Sequence, residues 1–151
     1  MATCAFFGHI KMYIEPYVEN LIAILTDLIE NKGVTEFYCG NCGQFDFFCS
    51  QAVYGLKKRY PFIKMIMVLY YPDSNFCLPY YYDESVYLLP EGTPKRFAVS
   101  LTNRLIVKLA DYIVCGIVID SGSAYHAVKY ALYNKKPVYN VIGREINLNF
   151  L

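Results

Sequence analysis

Short apolar runs alternate along the chain with segments in which apolar residues recur every three or four positions. Continuous runs rich in β-branched and aromatic residues are typical of buried strands, whereas the three-to-four spacing is typical of amphipathic helices. The spacing from 14 to 29, closed by Gly33, predicts a helix that begins near Pro16. Strands are predicted at 2–8, 35–40, 62–71, 111–119 and 136–142, and further helices at 45–59, 97–109 and 122–134.

This order of elements predicts βαβ units, and hence an α/β fold with a mostly parallel five-stranded sheet covered by helices on both faces. The chain has 151 residues, of which 56% are hydrophobic, so one domain spanning 1–151 is expected. Residues 72–95 carry four prolines and clustered tyrosines and predict an elaborated loop, with a short strand at 86–89 inside it. Residues 143–151 are expected to form an apolar tail.

The carboxyl ends of the strands are the place to look for function. In parallel α/β sheets, ligands bind beyond these ends, near the point where the strand order reverses. Four segments are expected to meet there: the residues after strand one, those after strand two, the Tyr-rich loop, and those after the strand at 111–119.

The segment GNCGQFD, residues 40–46, places two glycines and an aspartate between a predicted strand and a predicted helix. Glycine permits a positive φ and close approach of backbone N–H groups to a ligand, and a helix N-terminus adds partial positive charge. Gly40, Asn41 and Gly43 are therefore candidates for holding phosphate, although the spacing is not G-x-G-x-x-G. Asp46 fits a first-turn carboxylate of the helix as well as it fits a ligand contact.

The segment DSGSAYHA, residues 120–127, is a second turn of small residues leading into a helix. Gly122, Ser123 and Ala124 would turn backbone amides, and the Ser123 hydroxyl, toward a phosphate. Ser121 is equally consistent with a helix N-cap, and Tyr125 completes the candidate ligand-binding set. Because two such turns are expected to face one crevice, a nucleotide-like ligand is the leading hypothesis.

Three further polar residues are candidates at this rim. His9 follows Gly8 at the end of the first strand, where it would contact a ligand, serve as acid or base, or have a structural role. Asn103 and Arg104 lie on the helix after the long loop. Arg104 would neutralise a phosphate, although an exposed helical arginine is the commoner arrangement.

Cys39 and Cys42 form a C-x-x-C pair, and such a pair near a helix N-terminus can have a lowered thiol pKa. Redox chemistry is disfavoured because the order of elements differs from that of thioredoxin-like chains. Zinc would need more ligands than this pair and the two histidines at scattered positions supply, so no metal site is predicted.

Charge and composition restrict the possible partners. The net charge of +1 gives no overall attraction to nucleic acid or to an anionic membrane, so neither is expected as a partner. No window reaches the roughly 18 apolar residues of a membrane span, and no signal peptide is evident, so a cytoplasmic protein is expected. The 16 tyrosines, with no tryptophan, suit stacking on bases or self-association, and a homo-oligomer is expected.

Several motifs together resemble the YpsA-like branch of the SLOG superfamily. They are CAFFGH, FYCGNCGQFD, PKRFAVSLTNRLIVKLADYIV and SGSAYHAVKYALYNKKPVYNV, which recur in order from about residue 4 to residue 142. The resemblance implies a Rossmann-like three-layer sandwich. The superfamily includes phosphoribohydrolases, a DNA-processing protein and sensors of NAD-derived or cyclic nucleotide signals.

The resemblance also implies which residues line the pocket and where this chain departs from the family. The implied lining is Gly8, His9, Gly40, Gly43, Phe45, Asp46, Asn103, Gly122, Ser123 and Ala124. The family usually has Arg where this chain has Ile10, a basic residue where it has Thr102, and Gly where it has Ser121. The turn at 121–124 is not followed by the glutamate that serves catalysis in the phosphoribohydrolases.

These observations lead to one expected function and two alternatives. The expected function is non-catalytic binding of a nucleotide or nucleotide-derived signal, as a sensor or sequestering protein, with no required cofactor and with loop tyrosines 80–82 stacked on the base. The first alternative is an N-glycosidic bond hydrolase that uses Asp46 or His9 as acid or base. The second is a thiol protein that uses the C-x-x-C pair.

Overall fold

The computed structural model describes residues 1–72, 76–143 and 146 and confirms the α/β prediction. Short 3-10 turns at Glu15–Tyr17 and Lys95–Phe97 lead into two of the helices. The strands are β1 (Ala2–Gly8), β2 (Val34–Cys39), β3 (Lys64–Leu69), β4 (Glu84–Tyr87), β5 (Tyr112–Gly116) and β6 (Val138–Asn140). The helices are α1 (Val18–Lys32), α2 (Gln44–Leu56), α3 (Ala98–Leu109) and α4 (Ser123–Tyr133).

The sheet has six strands in the order β4-β3-β2-β1-β5-β6, and every pairing is parallel. The sequence predicted five strands, so the sheet gains one. The additional strand is β4, which pairs with β3 from Ile66–Glu84 to Leu69–Tyr87. It lies two residues earlier than the short strand predicted at 86–89. None of its residues is fully buried, and such an edge strand carries little of the apolar signal that reveals a central strand.

Each face of the sheet has its own hydrophobic core. Helices α1 and α2 cover one face, where Leu21, Leu25 and Leu28 of α1 are completely buried. Helices α3 and α4 cover the other, which includes Val107 and Val128. Crossovers on opposite faces are the three-layer arrangement expected of a Rossmann-like fold.

The strand order reverses at β1, which lies between β2 and β5. Gly8 and Gly116 are paired at the carboxyl ends of these strands. A Cβ atom at Gly8 would lie 2.2 Å from the Phe45 ring, and one at Gly116 would lie 2.7 Å from it. Both positions are therefore glycine so that Phe45 can pack across the two strands, and the crevice at the reversal point lies above this ring.

Parts of two predicted segments lie outside the described residues. These are 73–75 of the Tyr-rich loop and 144, 145 and 147–151 of the tail. Within the described part of the chain, no helix has both the length and the apolar content needed to cross a bilayer.

Candidate functional site

A central cavity of about 270 Å³ lies at the reversal point, between the segments that follow β2 and β5. Asp46 and Cys42 line it from one side, and Ser123 and Ala124 line it from the other. The two small-residue turns therefore face one crevice, as the sequence predicted. The full lining is Phe6, Phe7, Gly8, Ile10, Cys42, Asp46, Tyr70, Tyr71, Val99, Asn103, Ser123 and Ala124.

Asp46 is the acidic residue of this lining and belongs to the first turn of α2. Its Oδ2 accepts a 3.1 Å hydrogen bond from the backbone N–H of Cys42, which orders the turn before the helix. Burial raises the pKa of the Asp46 carboxyl to about 6, against the opposing effect of hydrogen bonds from Cys42 and Cys39. Near neutral pH the side chain therefore presents a carboxylate whose negative charge is poorly solvated.

A second polar group enters from the opposite face of the sheet. Asn103 of α3 is 5% exposed, and its Oδ1 accepts a 3.1 Å hydrogen bond from the hydroxyl of Tyr70. Because its amide oxygen already accepts a hydrogen bond from Tyr70, Asn103 can donate hydrogen bonds to a ligand through its side-chain N–H groups. The cavity thus has mostly apolar walls with a few converging polar groups, which is typical of ligand sites.

The two glycines before α2 and α4 have the same backbone conformation but different surroundings. Gly43 and Gly122 both have φ of +96°. A Cβ at Gly43 would lie 2.5 Å from the Cα of Ile10, whereas a Cβ at Gly122 would have nothing within 4 Å. The N-terminus of α2 is consequently packed against the segment after β1, and that of α4 is open on this side.

The open end of α4 leads into a groove of about 610 Å³ between α3 and α4, here called the α3–α4 groove. Three cationic side chains line it, and none of the described residues in its lining is acidic. Arg104 lies 5.2 Å from the centre of the Tyr130 ring, and Lys129 lies 5.2 Å from that of Tyr125. The full lining is Arg96, Val99, Ser100, Asn103, Arg104, Gly122, Ser123, His126, Ala127, Lys129, Tyr130 and Tyr133.

An outer cavity of about 660 Å³ lies on the other side of the central cavity, beyond β3 and β4. Tyr70 and Tyr71 line both cavities, while Val99, Asn103 and Ser123 line both the central cavity and the α3–α4 groove. The Lys95 ammonium lies 5.2 Å from the centre of the Tyr71 ring. The three spaces therefore adjoin along the carboxyl ends of the strands.

Seven of the fourteen predicted site residues line the central cavity or the groove, and the others do not. Those that do are Gly8, Asp46, Asn103, Arg104, Gly122, Ser123 and Ala124. Phe45 and Tyr125 are core residues, 0% and 1% exposed. His9 accepts a 3.4 Å hydrogen bond at Nε2 from the Ile119 backbone N–H, which joins the segments after β1 and β5. The remaining predicted residues outside both linings are Gly40, Asn41, Gly43 and Ser121.

The loop tyrosines expected to stack on a base lie elsewhere. Tyr82 is 4% exposed, and its hydroxyl donates a 2.6 Å hydrogen bond to the carbonyl of Gly40. Tyr80 packs edge-on against Tyr54 of α2, with ring centres 5.5 Å apart. These rings cover α2 and the face of the sheet beneath it, so they do not reach the central cavity.

The C-x-x-C pair lacks the environment of a reactive dithiol. Cys39 is 1% exposed, and burial raises the pKa of its thiol well above the usual value, with the Asp46 carboxylate adding to the effect. Reactive cysteines have lowered pKa values and are accessible. No group of three or more potential metal ligands occurs among the residues that the structure describes.

The groove contains residues that the sequence analysis missed. Arg96, Ser100 and Arg104 recur at intervals of four, and His126, Tyr130 and Tyr133 recur at four and three. Ser100 and Arg104 therefore share one face of α3, which Arg96 extends from the 3-10 turn before it, and the second set lies on one face of α4. Tracing the polar face of each predicted helix, in addition to its apolar face, would have found this row of cations and aromatic rings.

Comparison with known proteins adds the fold relationship. No family model and no curated protein matches the chain. Among solved structures, DNA processing protein A (DprA) from Streptococcus pneumoniae is similar, with a TM-score of 0.66 and 13% identity over 91% of this chain and 49% of the other. DprA from Helicobacter pylori, described for its single-stranded DNA binding mode, has a TM-score of 0.64 and 15% identity over 91% and 63%.

A third similar structure is the Moco Carrier Protein from Chlamydomonas reinhardtii, with a TM-score of 0.53 and 19% identity over 91% of this chain and 74% of the other. The chain spans about half to two thirds of the length of the two DprA structures. At these identities the likeness shows the Rossmann-like fold. The names of the second and third neighbours describe single-stranded DNA binding and Moco carrying, respectively.

Two expectations from the sequence are corrected by these neighbours. Binding of a nucleotide-derived signal was the expected function, and nucleic acid was not expected as a partner. Two of the similar structures are DNA processing protein A, and one of these is described by its binding of single-stranded DNA. Net charge was the reason for excluding nucleic acid. It averages over the whole surface and does not register a local group of cations such as the one that lines the α3–α4 groove.

Proposed function

We propose that the chain binds single-stranded nucleic acid along the α3–α4 groove. The observation that carries this proposal is the lining of the groove, which combines the exposed Arg96 and Arg104 with Tyr130 and Tyr133, while the Lys129 side chain is only 9% exposed. Proteins that bind single strands combine a cationic surface that follows the backbone with aromatic rings on which bases stack. The fold likeness to a protein described for single-stranded DNA binding supports the same class of ligand.

Each part of the groove has a distinct role in this proposal. The Arg96 and Arg104 guanidinium groups, both exposed, bind phosphate oxygens in pairs of hydrogen bonds. The N-terminus of α4 at Ser123 adds backbone N–H groups and partial positive charge to the same path. Tyr133, which is 73% exposed, offers an open ring face to a base. Only unpaired bases can stack in this way, so single strands are preferred to duplexes.

The test is fluorescence anisotropy with a labelled single strand of about 12 nucleotides, a length within the range of known single-strand sites. We expect Arg96→Ala and Arg104→Ala each to weaken binding about tenfold, because a charge-assisted contact contributes about 1.5 to 3 kcal/mol. The logarithm of the association constant should fall with the logarithm of salt concentration with a slope of about −0.7 per neutralised phosphate, hence about −1.4 for the two exposed arginines.

Arg59→Ala is the matched control. The Arg59 guanidinium also lies over a tyrosine ring, 5.5 Å from the centre of Tyr60, but it follows the carboxyl end of α2, at the opposite end of the sheet from the groove. Binding should be unchanged in this variant. Equal losses in Arg59→Ala and Arg104→Ala would contradict the assignment to the groove, and absence of binding in the unmodified protein would contradict the function itself.

Three expectations from the sequence stay predictions. The first is membership of the YpsA-like branch, which rests on the quoted motifs. Of the positions at which this chain departs from the family pattern, Ile10 lines the central cavity and Thr102 is 0% exposed. Homo-oligomer formation and the absence of a required cofactor are the other two.

A further inference from the structure

The central cavity adjoins the α3–α4 groove and differs from it in chemistry. The two share Val99, Asn103 and Ser123, but the central cavity is lined by a carboxylate and by aromatic and aliphatic side chains. A strand whose phosphates follow Arg96 and Arg104 therefore has a mostly apolar recess beside it. Phosphate groups are excluded from that recess by the charge of Asp46, whereas an uncharged planar base is not.

The volume of the cavity sets the size of what enters. About 270 Å³ equals the volume of about nine water molecules in the liquid, which leaves room for one nucleobase. Phe6 and Phe7 of β1 are 3% and 6% exposed, so they form a preformed wall that moves little. Tyr70 and Tyr71 line the side toward the outer cavity. One base from a bound strand would fit among these rings.

We propose that this cavity receives one base of the bound strand and that Asp46 selects a base carrying an exocyclic amino group, such as cytosine, over thymine. This inference rests on the proposed function. Carboxylates accept hydrogen bonds from the cytosine N4 amino group, and thymine has a carbonyl oxygen at the equivalent position. Thymine would therefore place a partial negative charge against the carboxylate where cytosine places a donor.

The position of Asp46 favours this role over a purely structural one. Its Oδ2 is fixed by the Cys42 backbone N–H, so the side chain has a defined orientation before any ligand arrives. Gly40 leaves room for it, because a Cβ there would lie 3.0 Å from the same oxygen. Orientation before binding is what a residue needs in order to discriminate between bases of similar shape.

The experiment compares labelled oligodeoxycytidylate and oligothymidylate, both DNA strands of about 12 nucleotides, at about pH 7.5, where Asp46 is ionised. We expect the unmodified protein to bind the cytosine strand about tenfold more tightly, in line with one good base contact. In Asp46→Asn the ratio should fall to about one. The carboxamide retains an oxygen that can accept from Cys42, and thermal unfolding of the variant checks that the fold is kept.

The matched control is Asp27→Asn, which removes the same charge from an exposed position on α1 and retains an acceptor for its hydrogen bond from Asn31. The ratio should be unchanged in this variant. Equal affinity of the unmodified protein for both strands, or a ratio that persists in Asp46→Asn, would overturn the role of Asp46 while leaving the proposed function intact. Failure to bind either strand would instead overturn the proposed function.

Discussion

The Tyr70 hydroxyl donates a 3.1 Å hydrogen bond to Oδ1 of Asn103, which ties the segment after β3 to helix α3. Tyr70 lies where the central and outer cavities meet, and Asn103 lies where the central cavity meets the α3–α4 groove. One contact therefore connects the walls of all three spaces. Burial raises the pKa of the Tyr70 hydroxyl above its usual range, so the group remains a hydrogen-bond donor at neutral pH.

Removing this hydrogen bond should destabilise the packing of the segment after β3 against helix α3. In Tyr70→Phe the ring stays and the donor is lost, leaving Oδ1 of the largely buried Asn103 without its tyrosine partner. We expect the free energy of unfolding to fall by about 1 to 2 kcal/mol, measured by urea denaturation. Tyr54→Phe is the control, because Tyr54 is 40% exposed and its ring contact with Tyr80 is retained. A smaller loss in Tyr70→Phe than in Tyr54→Phe would contradict this reading of the contact.

The two glycines with φ of +96° should respond differently to the same substitution. Gly43→Ala forces a Cβ to within 2.5 Å of the Ile10 backbone, while Gly122→Ala meets open space. Both variants incur backbone strain of about 1 to 3 kcal/mol. Only Gly43→Ala must also displace the main chain, so its midpoint of urea unfolding should be clearly the lower of the two. Equal midpoints would show that the segment after β1 moves away without cost.

The fold could be predicted because its signals are local. The apolar run that ends in Gly8 and the helical spacing that ends at Gly33 each carry their own evidence, and the alternation of such segments limits the topology. Strand β4 was predicted only as a short strand within the loop and two residues too late, because its first residues, Glu84 and Ser85, are polar and exposed at the edge of the sheet. The contact between Tyr70 and Asn103 joins residues 33 positions apart, and no local pattern encodes it.

The site was predicted in part for the same reason. The small-residue turns at Gly43 and Gly122 are visible in the sequence, and the parallel topology brings them to one rim. Phe45 and Tyr125, which stand next to these turns, are core residues instead, because the first turn of a helix has an inward face as well as a face toward the ligand. Proximity in sequence to a glycine turn does not distinguish these two faces.

The raised pKa of Asp46 makes a prediction about stability and pH. The folded protein holds the Asp46 proton more tightly than the unfolded chain, whose reference value is 3.8 against about 6 in the fold. The contribution of the protonated Asp46 carboxyl to the free energy of unfolding is therefore fully present below pH 3.8 and is lost as pH rises through 6. At about 1.36 kcal/mol per pKa unit, reduced for partial solvent access, we expect a loss of about 1 to 3 kcal/mol over this interval.

Asp46→Asn isolates that effect. The difference in unfolding free energy between the variant and the unmodified protein, measured by urea denaturation from pH 4 to pH 7.5, should shift in favour of the variant as pH rises. Cys39, Tyr70 and Tyr82 face Asp46, and burial raises their pKa values, which ordinarily lie above this interval, still further from it. His9, whose pKa is lowered by burial, is present in both proteins and cancels in the difference. A difference independent of pH would mean that Asp46 ionises normally.

Stacking in the α3–α4 groove can be tested at Tyr133, whose side chain is 73% exposed. Truncation to Tyr133→Ala removes the ring, and loss of one stacked base costs about 1 to 3 kcal/mol, so the affinity for a labelled single strand should fall by about tenfold or more. Tyr133→Phe keeps the ring face and should bind nearly as well as the unmodified protein. Tyr13→Ala removes a tyrosine of almost equal exposure, 71%, from outside the groove lining, and should leave binding unchanged. If Tyr133→Phe binds as weakly as Tyr133→Ala, the hydroxyl and not the ring makes the contact, and stacking at this position is wrong.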